Sequence, residues 1–489
     1  MMEKQGRSVG VMILAAGSGK RMKSALPKVL HEIGGKPLLY FVLQAVRQSL
    51  PWAKVALIVG YGREQIESYV KNEPEWRGMD IEFILQPKQL GTGHAVACAL
   101  KSVWAERLAQ ASASVLVLPG DQPLITADLI EKLVEPLKRG EALRLLTCEL
   151  ENPTGYGRVI RRGKAGSVLR IVEEKDATVK EKQIHEVANS IYFFSLSFLK
   201  QTIGKLTNQN AQEEYYLTDL ISLASRAKKK IPVLKWQNSE DLRGVNDPWQ
   251  LAQAQAILNQ RTLFYWSQRG VRFLDLASVR IDASVELDDG VVIHPGVILT
   301  GQTRIKSHST LGPYVILHDV EVGSGVFIKA GSVGEKSKIG DHCQVGPYAH
   351  LRAENEIGSQ VKIGNFVELK KTKLGNSTSV AHLSYLGDAE VGKRVNIGCG
   401  FVTCNYDGRV IQGQRKHRTL VEDDAFVGSD CQAVAPVRIG RGAFIASGST
   451  ITEDVPADAL AIARSKQVNK PGYVEKLKGK KGAGSCVES

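Results

Sequence analysis

Aromatic residues make up only 6% of this 489-residue chain, and its seven cysteines include no Cys-x-x-Cys pair. No apolar stretch is long enough to span a bilayer. An odd cysteine count without paired spacing argues against a disulfide framework or a zinc site and fits a reducing compartment. The N-terminus lacks the layout of a secretory leader. A soluble, cytoplasmic protein with no membrane span is therefore expected. The net charge is +13, but no basic patch is interleaved with aromatics, so no nucleic-acid partner is expected. The positive balance suits small anionic substrates. Part of it sits in the segment 464–489, where seven Lys/Arg face two Glu. That segment reads as a solvated, disordered tail.

What the chain does have is a six-residue repeat. Aliphatic residues fall at Ile281, Leu287, Ile293, Leu299, Ile305, Leu311 and Leu317, slip by one to Val322 and Ile328, and resume from Ile339 to Leu369 and from Val421 to Ile451. A smaller residue follows four positions later, as at Val285, Val291, Val297, Thr303 and Ser309. This is the pattern of a parallel β-helix with three short strands to a coil. Its cross-section admits one large and one small inward residue per strand. By this phase Cys343 and Cys431 point inward, whereas His382 points outward. The repeat breaks between Thr403 and Val421, where an insertion must leave the solenoid on one face. By itself the repeat is equally a scaffold.

The N-terminal half instead alternates apolar runs (Val9–Leu14, Val55–Val59, Val115–Leu118) with amphipathic stretches, which implies an α/β domain with a largely parallel sheet. Between the halves, Pro248–Gln268 is free of glycine and reads as one linker helix. The expected division is 1–247, a linker helix within 248–270, a β-helix over 271–463 and the tail.

The first strand runs into Leu14-Ala15-Ala16-Gly17-Ser18-Gly19-Lys20-Arg21, a loop that can offer backbone N–H groups to phosphate. It is not a P-loop, because Leu14 stands at the first glycine and Arg21 at the hydroxyl position. Nor is it the dinucleotide fingerprint, because Met22 replaces the third glycine. Alone, it serves equally as a plain turn. It is followed by Leu26-Pro27-Lys28, Gln86, Leu90-Gly91-Thr92-Gly93-His94, Gly120-Asp121, Asn152–Arg158, Glu173 and Gly244-Val245-Asn246.

With these motifs the chain resembles the sugar-1-phosphate nucleotidylyltransferases. More closely, it resembles the bacterial bifunctional UDP-N-acetylglucosamine pyrophosphorylase/glucosamine-1-phosphate N-acetyltransferase family, from Val9 to Arg464. The resemblance implies a Rossmann-like uridylyltransferase domain followed by a left-handed β-helix. It implies Mg²⁺ on Asp121 and Asn246, nucleotide binding by Leu14, Ala15, Ala16 and Gly17, and Arg21 and Lys28 screening the triphosphate. Gln86, Gly91 and Thr92 would read uracil, and Gly157, Glu173, Asn189 and Asn246 would serve the sugar nucleotide. The sequence departs from the family at Lys20, at Pro119 and at Ala188, where the sugar-binding Asn usually stands. Asn189 lies one place later, and in a strand a one-residue shift reverses the face. Either a bulge restores Asn189 to the site or another group replaces the contact.

In the β-helix, Ala381–Glu390 matches the family's acetyltransferase motif. The resemblance implies His382 as general base, and Arg352, Lys370, Tyr385 and Asn396 on the sugar phosphate. Cys399, Asn405, Tyr406, Ser429, Ser447 and Arg464 would contact acetyl-CoA, with Cys399 and Ser447 standing where alanine is usual. The expected function is acetylation of glucosamine-1-phosphate, then uridylyl transfer from UTP to N-acetylglucosamine-1-phosphate, in a homotrimer supplying cell-wall precursors. One rival is a nucleotidylyltransferase whose β-helix only assembles or regulates. The other is a non-catalytic protein retaining both folds.

Overall fold

The computed structural model describes residues 9–108, 113–163, 166–408, 410, 413 and 415–481. The chain separates into two compact units, with the division after Thr262.

The first unit is built on a mixed sheet. From one edge its strands run Val233–Lys235, Leu143–Glu149, Glu186–Ser195, Ser114–Pro119, Val9–Ala15, Lys54–Val59 and Asp80–Leu85. Val9–Ala15 pairs in parallel with both Lys54–Val59 and Ser114–Pro119. Its residues Val11, Met12 and Ile13 are wholly buried, as a central strand covered on both faces requires. The chain winds outward from this strand to Asp80–Leu85 and then returns to its other side. The strand order therefore reverses between Val9–Ala15 and Ser114–Pro119, and ligands of open α/β sheets gather beyond the strand ends at such a point. Glu186–Ser195 runs antiparallel to both neighbours. Between Ala188 and Tyr192 it gains extra residues against its partner, with Ser190 at φ 58°.

The second unit is the β-helix. Three parallel sheets of 11, 10 and 9 short strands are stacked coil upon coil. Ile281 pairs with Leu299, and Leu299 with Leu317, so three hexapeptides complete a coil. The slip after Leu317 is a 17-residue coil, Ile305 pairing with Val322. The aliphatic column forms one continuous core from Val271 to Val455. Cys343 and Cys431 lie inside it, both at most 1% exposed, and His382 is exposed, as the phase predicts. The insertion emerges between the strands Val402–Cys404 and Thr419–Val421, and Val391 pairs across it with Val421.

The helix expected between the halves spans Pro248–Ser267. Its Leu251, Ala254, Ile257 and Leu258 pack with Ile33, Leu38, Leu124 and Val245 of the first unit. Leu263 belongs to the β-helix core, and partly buried Trp266 packs against it. The tail differs from the expectation of disorder: Tyr473–Lys481 is helical. Lys, Glu and Leu are good helix formers, and the residues through Lys478 are exposed, so the helix there rests on local propensity. Residues 482–489 lie outside the described residues.

Candidate functional sites

At the sheet's reversal point lies a cavity of about 510 Å³ lined by every residue expected at the uridylyl site, from Leu14 to Asn246. The loop after Val9–Ala15 turns at Gly19, whose φ of 58° suits glycine and where a Cβ would stand 2.7 Å from Lys28 Cβ. Gly17 has no such constraint: a Cβ there would meet nothing within 4 Å. A glycine at the cavity wall that packing does not demand leaves room for close approach of a ligand.

Arg21 of this loop meets three further polar side chains, Lys28, Asp121 and Asn246. Lys28 Nζ contacts Asp121 Oδ2 and lies 3.2 Å from Asn246 Oδ1, which also accepts from Arg21 at 2.8 Å. Asn246 is brought there by backbone bonding: Val245 N donates to Asp121 O at 2.9 Å. Asn246 N then donates to Gln250 Oε1 at 2.8 Å, in the first turn of Pro248–Ser267. Two hard oxygen donors thus meet at one cation, the Lys28 ammonium. Such a set fits a divalent ion completed by phosphate oxygens and water.

At the far side of the cavity, Glu173 accepts from Thr218 Oγ1 at 3.1 Å. Burial raises its pKa above the ordinary glutamate value. A Cβ at Gly157 would stand 2.7 Å from Ile171 and 3.5 Å from Glu173 Oε2, so the glycine leaves that carboxylate open. The next residue, Glu174, faces the other way. It bonds Gly155 N at 3.1 Å and buried Arg158 at 2.7 Å, fixing the loop that carries Gly157.

The bulge gives the Asn189 side chain partners within the fold. Asn189 lines the cavity but is 3% exposed, its Nδ2 donating to Leu242 O at 3.2 Å and its Oδ1 lying 3.4 Å from Cys148 Sγ. Its carbonyl accepts from Gln122 Nε2 at 2.9 Å. Its polar groups are thus engaged within the fold. Sequence reading passed over Gln122, Tyr156 and Ser190, which also line the cavity. A short motif carries no signal for a contact made by a bulge.

In the β-helix the expected residues fall on one edge. Asn365 pairs with His382, and Nδ1 of the imidazole lies 3.0 Å from Asn365 Oδ1. Continuing the register two residues past Val380–Ile397, Ile397–Val427 and Val427–Ile445 places Cys399, Ser429 and Ser447 in successive coils beyond His382. Coils are spaced by about 4.8 Å, so this column is about 14 Å long. Arg464 Cδ lies 3.9 Å from where a Cβ of Gly448 would stand, at the column's end.

On the adjoining sheet, Leu351 pairs with Leu369 and Lys370 with Gly387, so Arg352 and Lys370 stack in neighbouring coils. Arg352 pairs with Glu368 at 2.9 Å. Glu368 in turn stands beside Tyr385. A Cβ at Gly387 would lie 2.4 Å from Tyr385 Oη and 2.6 Å from Asn405 Nδ2, so both side chains rest on this glycine. Asn396 follows Ser379 on the sheet that carries His382. Asn405 is 5% exposed and donates to Asp388 at 2.6 Å, anchoring the insertion; Tyr406 is exposed, with Lys416 Nζ 4.4 Å from its ring centroid.

Among known proteins, residues 11–178 match the MobA-like NTP transferase domain family. The bifunctional protein GlmU of Trichlorobacter lovleyi is 45% identical over 465 residues, covering 94% of this chain and 97% of that protein. GlmU of Pelobacter propionicus is 45% identical over 97% of this chain and 99% of its own length. That of Halalkalibacterium halodurans is 43% identical over 95% and 98%. The chain belongs to the GlmU family of bifunctional proteins. Each of the two units thus carries one polar constellation. Asn365 is the residue sequence reading missed at the second; its signal was the 17-residue offset to His382, one coil of the repeat.

Proposed function

We propose that the cavity of the first unit is the uridylyl-transfer site and that the outer edge of the β-helix at His382 is the acetyl-transfer site. The chain is a bifunctional transferase. It acetylates glucosamine-1-phosphate with acetyl-CoA and joins N-acetylglucosamine-1-phosphate to the uridylyl group of UTP, releasing pyrophosphate. The observation that carries the assignment of the first site is the convergence of Lys28, Arg21, Asp121 and Asn246 at the sheet's reversal point.

In uridylyl transfer, a phosphate oxygen of the sugar phosphate attacks the α-phosphorus of UTP. The new P–O bond forms as the bond to pyrophosphate breaks. Arg21 and Lys28 offset the repulsion between the two anions, and the 14–17 backbone holds the triphosphate beside them. Asp121 and Asn246 would hold Mg²⁺, which supplies charge stabilisation on the phosphate oxygens when bound. Lys28 then moves from the carboxylate toward phosphate. Gln86, Gly91 and Thr92 face the base; Gly157 and Glu173 face the sugar.

In acetyl transfer, the amine nitrogen attacks the thioester carbonyl, its proton passes to His382, and coenzyme A leaves as the thiol. Asn365 Oδ1 accepts from Nδ1–H, which leaves Nε2 bare as the base. Arg352 and Lys370 take the phosphate, with Tyr385 and Asn396 at the sugar. The column through Cys399, Ser429 and Ser447 to Arg464 carries the coenzyme, and Tyr406 and the loop anchored by Asn405 close over it. We assign Asn189 to holding the bulge. Exposed Tyr314, Tyr348, Phe366 and Leu383 follow the same side of the β-helix. A homotrimer would cover them. Free cysteines and the absence, among the described residues, of a helix long and apolar enough to cross a membrane are compatible with a cytoplasmic enzyme.

Two assays on one preparation test the assignment: pyrophosphate release with UTP and N-acetylglucosamine-1-phosphate, and thiol release with acetyl-CoA and glucosamine-1-phosphate. Asp121→Asn should abolish the first and spare the second, and His382→Ala the reverse, with a loss of about 10²–10⁴-fold. Unchanged acetyl transfer in His382→Ala would remove it as the base.

A further inference from the structure

Asp121 opens the segment 121–124, and Asn246 closes the segment 241–246. Where the two side chains meet, the segments are joined by backbone: Val245 N donates to the Asp121 carbonyl at 2.9 Å. At their other ends they are joined by one side chain from a third element. Arg261, in the helix Pro248–Ser267, donates from Nη1 to the Leu124 carbonyl at 2.8 Å and from Nη2 to Asp241 Oδ1 at 2.5 Å. Asp241 is 5% exposed and is held further by Trp236 Nε1, 2.6 Å from Oδ2, and by Asn238 Nδ2, 2.9 Å from Oδ1. A closed circuit therefore runs from Asp121 to Leu124, through the guanidinium to Asp241, along to Val245 and back to Asp121.

The helix is anchored without this bridge. Leu251, Ala254, Ile257 and Leu258 pack into the first unit, and Gln255 Oε1 accepts from Gly34 N at 2.6 Å. What the guanidinium adds is a fixed separation. Its donors form a rigid planar fork, so two acceptors bound to one group are set at one spacing; an ammonium on a flexible stem imposes none. We propose that Arg261 is a positioning residue for the divalent-ion site: by bridging the segments 121–124 and 241–246 at one end, it sets the spacing of Asp121 and Asn246 at the other. This rests on the reading of those two residues as the metal ligands. Arg261 bonds neither ligand side chain and is not among the residues lining the cavity, so its replacement acts through the two segments.

The experiment measures Mn²⁺ binding to the full chain by electron paramagnetic resonance, with UDP-N-acetylglucosamine saturating and the nucleotide alone as the blank. Arg261→Lys keeps a charge opposite Asp241 and loses the fork. It is expected to weaken Mn²⁺ binding about tenfold, as loss of an outer partner of metal ligands does. The metal concentration that half-saturates pyrophosphate release should rise by the same factor, with kcat at saturating metal and the KM for N-acetylglucosamine-1-phosphate unchanged. Gln255→Ala is the control, since it removes a bond of the same helix that reaches neither segment. It should lower the thermal midpoint and leave Mn²⁺ binding as it was. Unchanged Mn²⁺ binding in Arg261→Lys, or an equal loss in Gln255→Ala, would overturn the proposal, because general loosening of the helix does not single out the metal. If Arg261→Lys fails to fold, Asp241→Glu decides: it keeps the ion pair but lengthens one arm of the bridge by a methylene, and the same loss of Mn²⁺ affinity is expected. A native chain that binds no Mn²⁺ beyond the blank would instead defeat the reading of Asp121 and Asn246 as metal ligands.

Discussion

Replacing Gly387 with alanine should damage one activity and leave the other whole, and the geometry sets the size of the effect. Gly387 is buried at the end of the strand Tyr385–Gly387 and does not have a positive φ, so its backbone accepts alanine. The new Cβ would stand 2.4 Å from Tyr385 Oη and 2.6 Å from Asn405 Nδ2. Relief requires each to retreat by about 1 Å to reach ordinary contact distances. Both atoms are the far ends of side chains, so the coil can absorb the group at about 1–3 kcal/mol. A catalytic pocket is less forgiving, because a misplacement of about 1 Å costs about 10²-fold in rate. Thiol release from acetyl-CoA should therefore fall about 100-fold, while pyrophosphate release from UTP stays within twofold of the native value. Gly364→Ala is the contrast. There the Cβ would lie 1.7 Å from the Ala381 carbonyl oxygen, a backbone atom that cannot step aside. That variant should lower the thermal midpoint before any question of catalysis arises. Unchanged acetyl transfer in a folded Gly387→Ala chain would refute the placement of Tyr385 and Asn405 in the acetyl site.

Two more outcomes follow from the same geometry. Burial raises the Glu173 pKa, so the folded chain binds a proton more tightly than the unfolded one. Stability is lost as pH rises from the ordinary glutamate value through the raised one. Glu173→Gln should therefore raise the thermal midpoint at pH 8, with the gain vanishing below about pH 4, and raise the KM for the sugar phosphate about tenfold. An unaltered midpoint at pH 8 would contradict a destabilising buried carboxylate. Asn365→Ala removes the partner of His382 Nδ1; kcat for acetyl transfer should fall about tenfold with KM unchanged, and Asn365→Asp should recover it, since both side chains put an oxygen at the imidazole. Equal loss in both variants would argue against a positioning role.

The repeat made the second unit readable in detail because a six-residue period fixes which residues face inward. Cys343, Cys431 and His382 all stand where the phase puts them. Strand-helix alternation gave the first unit its layers, but the antiparallel Glu186–Ser195 and its bulge carry no period. The fate of Asn189 was therefore open in the sequence: it depends on Cys148, Gln122 and Leu242, which are distant in the chain and adjacent only after folding. Expected site residues such as Asp121, just past a strand, and Lys28, opening a short helical turn, were legible as motifs. Their mutual contact was not, since 93 residues separate them.

The outward face of the β-helix holds a pattern that also separates scaffold from site. On the nine-stranded sheet, Glu286, Arg304, Glu321, Lys338, Glu356, Lys373 and Glu390 follow one another in register, and every neighbour has the opposite sign. Opposite charges directly paired across strands are favourable and like charges are not. The fourth acid of that row, Glu390, pairs with Arg418 at 2.7 Å, so the row neutralises itself. The edge beside Tyr385 breaks the alternation: Arg352 and Lys370 stand in successive coils, with Glu368 and Glu335 both beside Arg352. Two stacked cations repel unless something anionic comes between them, and a phosphate is such a group. The departure from alternation, set against six consecutive steps that keep it, supports the proposal of a phosphate at Arg352 and Lys370.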